Sequence, residues 1–339
     1  MIRHRTRLLP AFAALATAAL LAACSAPADD AGSTTDEGDA TGADQGETRM
    51  VEHAYGSTEV PAEPQRVVSL GWTDVENAIA LGITPVGFRD WFGTGLNDWA
   101  ATASDGTEPE SVQTEDGTDF GYEAILALEP DLIFANDGMT QEQYDRLSDI
   151  APTVGPIEGG DSYGVEWDVA ITRTGEILGR QDEAATIVSR VRAAVERITT
   201  EHPEFAGHTA AMGFAPGPDA PPYLATSADP RFQPLLAIGL APNEAVAALD
   251  EQGETGMIEL STEEVSKLEA DLLFLYMYSP EERTDALAIP AFAALDVVKE
   301  DRVIWMPADV ADALTFGTAL SIEYALSKLP PLIAQKLPA

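Results

Sequence analysis

The chain has 339 residues and a formal net charge of −38, with 19 Lys and Arg against 57 Asp and Glu. That balance excludes nucleic acid as a partner, because phosphate contact depends on Lys and Arg, and it fits a soluble, self-repelling monomer. Cys24 is the single cysteine, so intramolecular disulfides are excluded as a source of stability.

Residues 1–23 have the layout of a secretory signal peptide. Arg3, His4, Arg5 and Arg7 give a positive start, and Leu8 to Leu21 is an apolar run too short to span a bilayer comfortably. The run ends in Leu21-Ala22-Ala23-Cys24, which matches the lipobox of bacterial lipoproteins. The resemblance implies cleavage before Cys24 and diacylation of its sulfur. It places the chain on the extracytoplasmic face of a bacterial cell membrane, with a lipid as its only membrane contact. Residues 24–54 read as a disordered acidic tether, since Ser25 to Thr48 holds almost no large apolar side chain to offset ordering entropy.

The body, from residue 55 onward, repeats itself. Val67-Val68-Ser69-Leu70-Gly71-Trp72 parallels Thr209-Ala210-Ala211-Met212-Gly213-Phe214. Leu81-Gly82-Ile83-Thr84-Pro85 parallels Ile238-Gly239-Leu240-Ala241-Pro242, and Leu128-Glu129-Pro130-Asp131 parallels Leu268-Glu269-Ala270-Asp271. Each copy reads as alternating strands and helices, which predicts a parallel sheet covered on both faces. The expected fold is α/β: two Rossmann-like three-layer lobes, 55–161 and 202–339, joined by a long interlobe α-helix over 162–201. Trp167, Ala170, Ile171, Thr174, Ile177 and Leu178 recur there at helical spacing, and Gly179 either kinks or ends the helix.

Taken together, these residues resemble the class III (cluster A) substrate-binding proteins of ABC importers, and within them the iron–siderophore group. Arg66-Val67-Val68-Ser69-Leu70, Leu81 to Gly87, Ile125 to Leu132, Asp229-Pro230-Arg231 and Leu314-Thr315-Phe316-Gly317 carry the resemblance, in order, across about 60–335. It implies a non-catalytic receptor that holds a ferric siderophore between its lobes and passes it to an ABC importer permease, with no cofactor of its own.

In open α/β sheets the ligand lies beyond the carboxyl ends of the strands, and the loops there are aromatic. Trp72, Arg89 and Trp91 follow strands of the first lobe, Trp167 opens the linking segment, and Phe214, Arg231, Tyr276, Tyr278 and Phe316 belong to the second lobe. Aromatic walls suit a bulky chelate, and a guanidinium forks onto chelating oxygens. Each residue also has a bland role. Trp72 fits a lobe core, Arg89 a surface pair with Asp90, Trp167 hinge packing and Arg231 a local turn. Tyr276 and Tyr278 alternate along an extended stretch, so one of them faces away from the cleft. Only Arg89 and Arg231 are cationic candidates, which favours a hydroxamate over a triply anionic catecholate. By the same resemblance Glu76, six residues before Gly82, docks onto the permease, while the matching position in the second lobe is Gln233.

Two rival readings share the fold or a motif. Haem, through Tyr276 or Tyr278, and cobalamin both suit an aromatic interlobe cleft. Gly160-Asp161-Ser162-Tyr163-Gly164 matches the nucleophile elbow of a serine esterase, but the stretch before it makes a poor strand, and His202 and His208 follow too closely. His4, His53, His202 and His208 are too few and too scattered for a free metal ion, so iron is expected only as a chelate.

Overall fold

The computed structural model describes residues 47–114, 117–158, 165–218, 220–277 and 279–338. The signal peptide, Cys24, the first part of the tether, Tyr278 and the Ser162 elbow lie outside the described residues. The first lobe comprises β1 (Thr48–His53), β2 (Gly56–Pro61), β3 (Val67–Ser69), α1 (Asp74–Ala80), β4 (Gly87–Phe88), α2 (Asp98–Ala103), β5 (Glu110–Ser111), α3 (Tyr122–Ala127), β6 (Leu132–Phe134), α4 (Gln141–Ser148) and β7 (Thr153–Val154). Its sheet runs β5-β4-β3-β6-β7 with every pairing parallel. The central strands β3 and β6 are buried at every residue, as expected of strands covered on both faces.

The folded body begins earlier than residue 55. Thr48–His53 pairs antiparallel with Gly56–Pro61, and Val51 and Val60 are buried. The acidic tether therefore stops short of its expected end at 54, because alternating apolar residues give this stretch something to bury. Arg49 anchors the hairpin: it donates to the carbonyls of Pro61 (2.9 Å) and Ala62 (2.7 Å) and to those of Glu176 (2.9 Å) and Ile177.

The linking segment is two helices, α5 (Trp167–Leu178) and α6 (Gln181–Glu201). Gly179 ends α5 in the left-handed conformation, φ 70°, and α5 packs on α1 of the first lobe. A methyl at Gly175 would fall 2.8 Å from the Ala184 Cβ, so small residues let α5 and α6 touch. Of the segment expected to bridge the lobes, only α6 does so. At 1.5 Å per residue its 21 residues reach about 30 Å.

The second lobe contains β8 (Thr209–Phe214), β9 (Tyr223–Ala225), α7 (Gln233–Ala237), β10 (Ala241–Pro242), α8 (Glu244–Glu251), β11 (Met257–Glu259), β12 (Leu272–Tyr276), α9 (Glu281–Ala288), α10 (Pro290–Ala293), α11 (Asp296–Lys299), β13 (Val303–Trp305), α12 (Ala308–Phe316) and α13 (Ala319–Ala334). The repeat is real at the level of pairing: β3 with β6 and β4 corresponds to β8 with β12 and β10, all parallel. The repeated aspartates do the same work. The Asp131 carboxylate accepts from the amides of Gln65 and Arg66 at the start of β3, and Asp271 accepts from the amide of Thr209 at the start of β8. The copies diverge where β9 and β11 add antiparallel strands to the second sheet. There a methyl on Gly213 would lie 1.7 Å from the Tyr223 carbonyl oxygen, so β8 carries glycine at the crossing. Finally, α13 returns from the second lobe to pack on α1, α2, α5 and α6.

A buried carboxylate organises the turn after β3. Asp74 accepts from the amides of Gly71 (2.9 Å) and Asn136 (3.0 Å) and from the Asn136 side chain (2.8 Å), which also donates to Thr174 of α5 (3.0 Å). Burial, reinforced by the nearby charge of Asp137, pushes Asp74 up to about 8.

Two outcomes follow. Arg49→Ala removes four charge-assisted bonds and uncaps the end of α5, and we expect a loss of about 1–3 kcal/mol in chemical denaturation with ligand binding retained. Asp74 binds its proton more tightly folded than unfolded, so the stability it lends is complete below about pH 4 and is lost as pH rises through about 8. Melting temperatures of Asp74→Asn should fall less steeply than those of the parent between pH 6 and 9; parallel profiles would show that Asp74 is ionised throughout.

Candidate functional site

A cleft of about 960 Å³ lies between the two sheets. Its first wall is Trp72, Thr73, Asn77 and Asp137, set just beyond the carboxyl ends of β3 and β6. The start of α5 and the face of α6 that carries Val191, Val195 and Thr199 form another side. The second lobe supplies the segment from Ala228 to Ala237 and the Thr315-Phe316-Gly317 corner.

Of the nine expected ligand residues, Trp72, Trp167, Arg231 and Phe316 line this cleft. The Trp72 indole stacks on the Phe316 ring across the lobes, with centroids 5.1 Å apart and planes 10° apart. Trp91 and Phe92 meet the same indole edge-on at 5.5 and 5.6 Å. The Trp72 amide donates to the Asp137 carboxylate (2.9 Å), which fixes the loop carrying the indole. Burial pushes Asp137 up to about 6. Trp72 is thus a wall residue rather than part of a lobe core.

Arg231 stands on the opposite wall with its guanidinium forked onto Asp229, at 2.8 and 2.6 Å. Asp229 is almost wholly buried, so the pair pins the arginine in place. Arg231 thus lines the cleft with its guanidinium paired to Asp229.

Arg89, Trp91, Phe214 and Tyr276 are not among the cleft-lining residues. The Arg89 guanidinium lies 3.7 Å over the Trp91 ring and donates to the Gly117 carbonyl (3.2 Å). The alternative pair with Asp90 does not form either, because the Asp90 carboxylate accepts instead from the amides of Thr94 and Gly95. Tyr276 is 6% exposed and packs on Phe214 at 5.3 Å. Burial raises its phenol well above the usual range, which opposes the phenolate that a haem iron would require.

The docking role of Glu76 does not hold in this structure. The residue is 2% exposed, and its carboxylate accepts from Trp99 Nε1 (2.9 Å), the Asn97 side chain (3.2 Å) and the Thr318 hydroxyl (2.5 Å). An apolar helix face turns Glu76 inward, where a carboxylate persists only with such donors. Gln233, at the matching position of the second lobe, lines the cleft.

The residues missed from sequence are Glu166, Asp168, Arg192, Glu196 and Asp229. Arg192 and Glu196 share one stripe of α6 at a spacing of four, a signal that an amphipathic reading of that helix offers. Among the described residues no group of three or more His, Cys, Asp or Glu is placed to hold a metal ion. His202 pairs with Glu204, and His208 lies 3.7 Å from Asp271.

Residues 67–310 match the model of the family described as periplasmic binding protein. The probable siderophore-binding lipoprotein YfiY of Bacillus subtilis is 33% identical over 144 residues, 42% of this chain and 42% of that one, so the match spans less than half of that relative's length. A periplasmic solute binding protein of Mycobacterium smegmatis has a similar structure, with a TM-score of 0.74 at 28% identity, covering 86% of this chain and 99% of that one. PiaA of Streptococcus pneumoniae, in complex with ferrichrome, gives a TM-score of 0.69 at 25% identity, covering 85% and 98%. The family model covers more than half of the sequence, and this chain belongs to the periplasmic binding protein family.

Proposed function

We propose that this chain is a non-catalytic receptor that captures a ferric siderophore in the cleft between its lobes and delivers it to an ABC importer. The observation that carries the reading is the aromatic wall shared by both lobes, Trp72 on Phe316, which borders a cavity large enough for a chelate. Trp167 adds a third aromatic surface, and Arg231, held by Asp229, offers a fixed donor at the far wall. The family's members are substrate-binding proteins, and the relatives named above as siderophore-binding or ferrichrome-bound support the same class of ligand.

The anchor completes the proposal. A lipid on Cys24 and the acidic tether after it keep the receptor near its permease at high effective concentration. Among the described residues no helix is long and apolar enough to cross a membrane. The permease contact falls to carboxylates other than Glu76, since that side chain is buried.

Titration of intrinsic tryptophan fluorescence with a ferric trihydroxamate should give saturable quenching, because Trp72 and Trp167 border the ligand. Trp72→Ala, Trp167→Ala and Arg231→Ala should each weaken binding by about ten-fold or more while leaving the circular dichroism spectrum unchanged. Saturable binding of haem or cobalamin, with no response to any ferric chelate, would overturn the siderophore reading.

A further inference from the structure

The cations on the cleft wall are already matched. Arg192 pairs with Asp168 at 2.6 Å, and Arg231 forks onto Asp229 at 2.8 and 2.6 Å. Three further carboxylates, Asp137, Glu166 and Glu196, line the same space, and the described lining residues include no third Lys or Arg to offset them. Five carboxylates against two guanidiniums leave the wall at a formal −3. Arg89 stands outside the lining but acts on Asp119 and Asp137, so the carboxylates left without a nearby cation are Glu166 and Glu196. Asp74 lies behind Asp137 and adds no cation. The whole chain carries −38, so no distant positive field reverses this balance.

We infer that the cleft selects its ferric chelate by charge: it takes a complex with a net positive charge in preference to a neutral one, and rejects anionic complexes. The inference rests on the siderophore reading and names the ligand class within it. Three hydroxamates neutralise a ferric ion, and a linear trihydroxamate ending in an amine leaves the complex singly positive at neutral pH. Three catecholates leave it triply negative. The chelate core makes the same aromatic contacts whatever its charge, so charge decides among ligands of similar size. Two features favour the cation. Glu166 and Glu196 present carboxylates to an ammonium without having to break an existing ion pair. The Trp167 indole, which lines the same space, also attracts a cation through its ring quadrupole. An anion, by contrast, would have to share a guanidinium with Asp168 or Asp229 and would meet that carboxylate's charge beside it. The two arginines then act as positioned hydrogen-bond donors more than as a net positive charge.

The test uses one chelate core at two charges. Ferric desferrioxamine B carries a terminal ammonium, and its N-acetylated form keeps the hydroxamates but loses that charge. A ferric tris-catecholate, ferric enterobactin, supplies the anionic arm. We expect the ammonium form to bind about ten-fold more tightly than the acetylated form at low salt, with the gap narrowing as NaCl is added. The double variant Glu166→Gln with Glu196→Gln should bring the two affinities to within about two-fold, chiefly by weakening the ammonium form. Equal affinities in the parent, or tightest binding of the tris-catecholate, would overturn the charge inference while leaving the siderophore reading intact. Binding of none of the three would remove both.

Discussion

The two lobes are held in register by a carboxylate that neither of them exposes. Glu76, on the first helix of the first lobe, accepts a hydrogen bond from Thr318 at the start of the last helix, 242 residues away. The same carboxylate accepts from Trp99 and Asn97. Burial raises its pKa, and the three donors offset part of that cost. Thr318 is itself committed, since its hydroxyl accepts from the Ser321 amide and caps α13. One residue earlier Gly317 closes α12 in the left-handed conformation, and before it stands Phe316. The Glu76 link therefore holds in place the corner that presents Phe316 to Trp72.

This arrangement explains why the cleft has a shared aromatic wall rather than two separate faces. Two helical connections cross between the lobes: α6 spans the gap, and α13 returns to pack on α1, α2 and α5. A single hydrophobic core follows them from the first lobe into the second. A second core covers the other face of the first sheet. With helices on both sides, the loops after β3 and β6 border the cleft. Trp72 and Asp137 stand there because β3 and β6 are adjacent, and Asp74 binds their two loops together.

The fold is largely legible in the sequence. The repeated Leu-Glu-Pro-Asp and Leu-Glu-Ala-Asp segments sit at equivalent places, and their aspartates bind equivalent strand starts. Glycine at 179 marks either a kink or an end from sequence, and the structure makes it the end of α5. What the linear pattern did not show was β1: its alternation is short, and it is masked by the acidic composition around it. The site was legible in part. Trp72, Trp167, Arg231 and Phe316 reach the cleft, while Arg89 and Trp91 pair with each other outside its lining. An aromatic residue after a strand carries no record of whether it faces the ligand or supports the one that does.

The sequence by itself determined the α/β class and the duplication, because each depends on local periodicity. Tertiary structure decided which side chains converge. It buried Glu76, which the family resemblance implies as a docking residue, and it matched Arg192 and Arg231 with Asp168 and Asp229. The physical reason is that charge in a cleft is a sum over residues from distant segments. Counting the arginines in the chain does not show which carboxylates stand beside them, and that pairing determines whether the cleft meets its ligand as a positive, neutral or negative surface.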